Sequence, residues 1–169
     1  MMQLALVAAF ASLAVAGPVA AQEIDWGSEQ NSEVWIGVTQ PELRELAGEA
    51  GGVWTDVPDD RQFRISRIDW PGLPPVMVRE FHCEASRNAP GDQSCGAMML
   101  SVDFDQPADL EAWWLEKDRW LAFGRVASRP ALYRVEFSRL GTTRGHILST
   151  LVLFRTRALD EIRAGGTGG

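Results

Sequence analysis

Met98, Leu100, Val102 and Phe104 alternate with Ala97, Met99, Ser101 and Asp103, which predicts a half-buried strand. A second alternation sets Ala131, Tyr133, Val135 and Phe137 against Leu132, Arg134, Glu136 and Ser138. Between them the period lengthens. Leu110, Trp113, Trp114, Lys117 and Leu121 follow a helical spacing after Asp105-Gln106-Pro107, with Glu111, Glu116 and Asp118 on the other side. A final helix over about 146–164 carries Ile147, Leu151, Phe154, Ala158 and Ile162 on one stripe, and its late Arg155, Arg157 and Arg163 suit the negative end of the helix dipole. Upstream, Thr39-Gln40-Pro41 opens a short helix with Leu43 and Leu46 inward and Gly51-Gly52 as its stop. Strands are expected at Val53–Val57, Gln62–Ile68, Val76–Cys83 and about Phe123–Ala127, with breaks at Pro58-Asp59-Asp60, Pro71–Pro75 and Ser128-Arg129-Pro130. The order α-β-β-β-β-α-β-β-α, with short turns between neighbouring strands, predicts an α+β domain. Its sheet should be mainly antiparallel, of about six strands, with helices packed on one face.

The only two cysteines, Cys83 and Cys95, stand at the shoulders of a hairpin whose polar turn separates two apolar strands. Upstream lies an export signal. Residues 1–21 carry no charge, Leu4–Ala16 is an almost unbroken apolar run, and Val19-Ala20-Ala21 supplies small residues for cleavage before Gln22. The apolar run is shorter than the roughly 20 residues that span a bilayer, and Gly17-Pro18 interrupts it. The expectation is a periplasmic or secreted bacterial protein, not held in a membrane once the signal is removed. In that oxidising setting Cys83 and Cys95 are expected to be bonded. The remaining chain has the size of one domain. It is divided as signal 1–21, acidic arm 22–34, folded domain 35–164 and a Gly-rich disordered tail 165–169.

Charge is unevenly distributed within the net −7. Residues 22–60 hold ten acidic side chains and one basic, Arg44, whereas residues 61–169 hold thirteen acidic and fifteen basic. That balance argues against nucleic acid as a partner. The acidic third reads as a solvated arm or as an electrostatic docking surface.

Candidate chemistry is sparse. His82-Cys83-Glu84 has the residue types of a metal site, but a bonded Cys83 offers no thiolate and further ligands would be needed. His146 reads as a surface residue at the start of the last helix. No Gly-x-Ser-x-Gly elbow presents a nucleophile and no Gly-rich motif cradles phosphate. Asp103 and Asp105 share a strand face, where strand termination and helix capping account for them better than glycosidase work. The reading is therefore no catalytic residue, no metal ligand and no cofactor. Of seven tryptophans, Trp54, Trp113 and Trp120 are placed for packing, and Trp114 suits either face. Trp26, Trp35 and Trp70, in less regular segments, are the candidates for anchoring a protein partner.

Phe81–Cys83, Cys95–Phe104 and the Trp-rich stretch running into Phe123-Gly124-Arg125-Val126 resemble the YbjN-domain family of bacterial proteins. The resemblance extends over about residues 35–164. It implies a curved antiparallel sheet with helices on one side, similar to type III secretion chaperones. The family is linked to sensory-transduction regulation and has no established catalytic residues, so the resemblance implies none here. Ala112 and Leu115 stand where the family usually has Asn, and the segment from Trp114 to Phe123 is longer. The expected function is a non-catalytic binding, chaperone-like or regulatory module that offers sheet or helix surface to an unidentified protein partner, as a monomer or a homodimer. The alternative is an enzyme inhibitor acting through a loop within Ser86–Ser94, or a small hydrolase whose site forms only in three dimensions.

Overall fold

Thr39 begins the first helix, α1 (Gln40–Glu49), through a reciprocal cap. The Thr39 backbone N–H donates to Glu42 Oε2 at 2.7 Å, and the Thr39 hydroxyl accepts from the Glu42 N–H. Pro41 sits in the first turn, where its missing N–H costs nothing. Gly51 ends the helix in the left-handed region at φ 76°, as its place after Glu49-Ala50 predicts. The Ala50 carbonyl, orphaned at this end, accepts from Trp70 Nε1 at 3.0 Å and from Arg155 Nη1 at 2.8 Å.

These details come from a computed structural model that describes residues 23–58, 64–86, 91–103 and 120–159. The export signal, the hairpin tip at 87–90, the Trp-rich helix with Trp113 and Trp114, and the Gly-rich tail lie outside the described residues. Besides a 3₁₀ turn at Glu29–Ser32, the chain forms β1 (Val34–Trp35), β2 (Val38–Thr39), α1, β3 (Val53–Val57), β4 (Arg64–Asp69), β5 (Val76–Ala85), β6 (Gln93–Asp103), β7 (Ala122–Val126), β8 (Arg129–Phe137), β9 (Thr142–Thr143) and α2 (Arg144–Leu153). A wider π turn continues α2 through Phe154–Leu159.

The result is α+β, with a seven-stranded sheet ordered β3-β4-β5-β6-β8-β7 and β2 added beside the start of β6. All its described pairings are antiparallel. The expectation of about six strands missed β2, and it missed the separate β1–β9 ribbon. Two-residue strands are too short to show a period. Leu43, Leu46 and Ala47 of α1 and Ile147, Leu148 and Leu151 of α2 pack with Ile68, Val78, Leu100, Val102 and Leu132 of the sheet. Both described helices therefore cover one sheet face.

Two expectations are corrected. Trp70 is only 2% exposed and is held by Ala50, so it belongs to the core and cannot anchor a partner from the surface. The acidic stretch is not a free arm over its whole length. Asn31 Oδ1 accepts from buried Arg144 at 2.9 Å, the Arg144 N–H donates to the Glu33 carbonyl, and Val34 pairs with Thr143. Arg144 also pairs with Glu45 at 3.1 Å and with Glu49.

Cys83 and Cys95 lie directly opposite on β5 and β6 and are bonded, with Cα atoms 3.9 Å apart. The bond closes a short loop (sequence separation 12), for which the chain-entropy account gives about 2.5–3 kcal/mol. Reduction should lower the denaturant midpoint accordingly, and alkylation of the unreduced protein should label no thiol. An unchanged midpoint would refute the stabilising role.

Candidate functional site

Strand pairing defines the sheet face turned away from α1 and α2. Alternation places Ile65, Arg79, Met99 and Val135 in one cross-strand row, and Phe81, Ala97 and Phe137 in the next. A third row contains Arg67, Met77, Ser101, Tyr133 and Ala122. Among the described residues no helix covers these rows. Phe137 is 69% exposed and Val135 36% exposed, whereas the small Ala97 and Ser101 are buried between larger neighbours. Arg79 stands in the middle, its Nη1 donating to Ser101 Oγ at 2.6 Å.

β8 explains why this face is apolar. Its inward residues are Leu132, Arg134 and Glu136, which pair with Val102, Leu100 and Met98, so Tyr133, Val135 and Phe137 point outward. The inward polar residues are satisfied. Glu136 accepts from Arg134 Nε and, at 3.3 Å, from Thr150, and its other oxygen meets His146 Nε2 at 3.0 Å. Burial pushes the Glu136 carboxyl up, but hydrogen bonds and charge from His146 and Arg134 outweigh it and hold the group below its usual range. Arg134 also lies over the Trp120 ring, 4.6 Å from its centroid. His146 thus belongs to a hydrogen-bond network around Glu136 at the start of α2, a role its sequence context did not show.

On the helix-side face of β5, Glu80 follows Val76 and Val78 into the interior. It is 1% exposed, and neither carboxylate oxygen has a hydrogen-bond partner. Burial pushes its carboxyl up to about 7, with Arg64 opposing the rise and Asp56 adding to it. Beyond it, exposed His82 adopts φ 54°, a conformation uncommon outside glycine. His82 and Glu84 border an open groove of about 460 Å³ whose other lining residues include Trp35, Ile36, Glu42 and Arg139. The groove's acids are engaged elsewhere: Glu42 caps α1, and Glu84 lies 4.0 Å from Arg139. No cluster of three His, Cys, Asp or Glu residues suited to a metal occurs among the described residues.

The three tryptophans singled out as partner anchors are not brought together. Trp26 is 51% exposed, Trp35 is half-buried against the core and borders the groove, and Trp70 is interior. Other exposed apolar side chains are Val53 on β3 and, near the β1–β9 ribbon, Val34, Ile36 and Leu140. No described helix is long and apolar enough to cross a membrane. Compared with protein-family models, curated proteins and solved structures, the chain matches none.

Proposed function

We propose that this is an exported, non-catalytic protein-binding module of the chaperone-like or regulatory kind, and that the sheet face covered by neither described helix is its contact surface. The observation that carries the reading is the exposed pair Phe137 and Val135 on β8, with half-buried Met77, Met99 and Tyr133 beside them on the same face. Aromatic residues, methionine and arginine are the types enriched at protein interfaces. Methionine adds adaptability, because its unbranched chain fits varied partners. Two large apolar side chains left side by side in water have no folding role that favours them.

Export is supported by the signal-like residues 1–21 and by the Cys83–Cys95 bond, which belongs to an oxidising compartment. The YbjN-like reading rests on the residues around the hairpin and on Phe123–Val126, and the α+β architecture with helices on one face is compatible with it.

Phe137→Ser and Val135→Ser remove apolar surface without opening the core, so stability should stay within about 0.5 kcal/mol. In affinity capture from a periplasmic extract the wild-type chain should enrich a protein partner that the double variant loses. Enrichment untouched by the double variant would move the contact surface elsewhere. Turnover of a hydrolase substrate that is lost in His82→Ala would replace the binding reading with a catalytic one in the groove.

A further inference from the structure

Taking the face that neither described helix covers as the contact surface, and resting on that reading, we infer that its partner is a peptide or protein segment in which apolar side chains bracket a carboxylate that docks on Arg79. The charge pattern carries this step. Arg44 pairs with Asp56, Arg67 with Asp69, Arg134 with Glu136, Arg139 with Glu84 and Arg144 with Glu45 and Glu49. Among the described residues Arg64, Arg79, Arg125 and Arg155 pair with no carboxylate, although the chain carries a net charge of −7, and of these only Arg79 lies on this face. Its one hydrogen bond goes to the neutral hydroxyl of Ser101, which is fully buried and holds the guanidinium in place at the floor of the face.

Around it the chemistry is apolar. Ile65 and Met99 flank Arg79 in its own row, and Val135 and Phe137 lie farther across the sheet. Asp69, on the same face, is already taken by Arg67 through bonds of 2.8 Å to both oxygens. A guanidinium presents five donors in a planar fork matched to a carboxylate, and one donor is in use here. A bound segment whose apolar side chains exclude water from Met99 and Val135 would leave that fork unsatisfied unless the segment brought its own acceptor. A carboxylate supplies both the acceptor and the opposite charge, and the apolar surround strengthens the pair by lowering the local dielectric. A second copy of this chain would have to bring a free acid to the same place, and the face itself offers Asp69, already paired, and Asp103 at the end of β6.

The test uses the disulfide-bonded mature chain and a random peptide display library. Enriched peptides should contain Asp or Glu flanked by apolar residues. Changing that acid to its amide should weaken binding about tenfold or more, as expected for a hydrogen-bonded charge. Arg79→Gln should remove the difference between acid and amide, and Arg79→Glu should favour peptides with Lys at the same place. Phe137→Ser, a surface change, should weaken all of the enriched peptides. If enriched peptides are apolar without an acid yet still lose binding in Phe137→Ser, the carboxylate proposal is overturned and the contact face stands. If they bind Phe137→Ser as well as wild type, both are overturned. If none is enriched and sedimentation shows a dimer dissociated by Phe137→Glu, a second copy is the occupant and the peptide proposal fails. If none is enriched and the chain is a monomer, the face does not bind protein segments.

Discussion

Replacing Phe154 by alanine is expected to lower the unfolding free energy by about 3–5 kcal/mol, the range for deleting a buried aromatic. Phe154 is fully buried where α2 passes into its π turn, and its ring meets Trp120 edge-on with centroids 5.9 Å apart. Loss of the ring opens a space between α2 and the strand that begins beside Trp120. Neighbouring Leu148, Leu151 and Leu159 are all buried and held by their own backbone positions, so collapse into the space is limited. The denaturant midpoint should fall with the slope unchanged. A Trp120→Ala partner in a double-mutant cycle should show coupling of about 0.5–1.5 kcal/mol from the aromatic pair. A midpoint unmoved by Phe154→Ala would mean that α2 does not seat on the sheet as described.

This helix shows how far a periodic pattern reads the fold. The stripe Ile147, Leu151, Phe154 is buried as its spacing predicts. Past Phe154 a strict helical period points to Ala158, but the backbone widens into a π turn, and Leu159, five residues on, is fully buried. Nothing local in Phe154–Leu159 signals the extra residue in that turn. The β7–β8 connection behaves similarly. Val126 pairs with Arg129, so Ala127 and Ser128 form a two-residue turn with φ of 50° and 70°. Such turns favour Asn and Gly, and the sequence instead pointed to Ser128-Arg129-Pro130 as the break. Core strands with five or more residues were legible within a few residues, because alternation and bounding prolines and glycines act over their whole length.

The candidate site was less legible for one physical reason. Period two assigns residues to two faces but does not say which face is inside. On β8 the more apolar set, Tyr133, Val135 and Phe137, takes the outer face, while Arg134 and Glu136 turn in and pair with each other, Glu136 also meeting His146 Nε2. That inversion depends on partners distant in sequence. Trp70 misled for the opposite reason: flanking Pro71 and Gly72 mark a turn, yet the indole folds back to cap α1. The disulfide alone of the functional-looking residues was readable, since two cysteines on one hairpin admit a single pairing.

Stability should fall as pH rises from about 4.5 to 7, and Glu80 should be the cause. In the unfolded chain its carboxyl ionises near the usual glutamate value of 4.5, whereas in the fold burial raises it to about 7. Between those values the folded state holds a proton that the unfolded state has released, so each pH unit costs about 1.4 kcal/mol of stability. Over the interval from 4.5 to about 7 the loss is on the order of 3 kcal/mol, and above it the contribution is constant. The other shifted carboxyls act elsewhere on the scale. Glu136 and Asp56 are lowered by their partners, so their contribution is present above the unfolded value and is lost only as pH falls below it. Arg64, opposite Glu80 on β4, tempers the rise without hydrogen-bonding either oxygen. Denaturant unfolding of wild type and Glu80→Gln across this range isolates the group, because the amide cannot ionise. The difference between the two curves should grow with pH in favour of the variant and level off near neutrality. Glu80→Leu should be more stable still at pH 7, as it also removes the two unpartnered oxygens. Parallel curves for wild type and Glu80→Gln would mean that the carboxyl finds water or a cation in the folded protein.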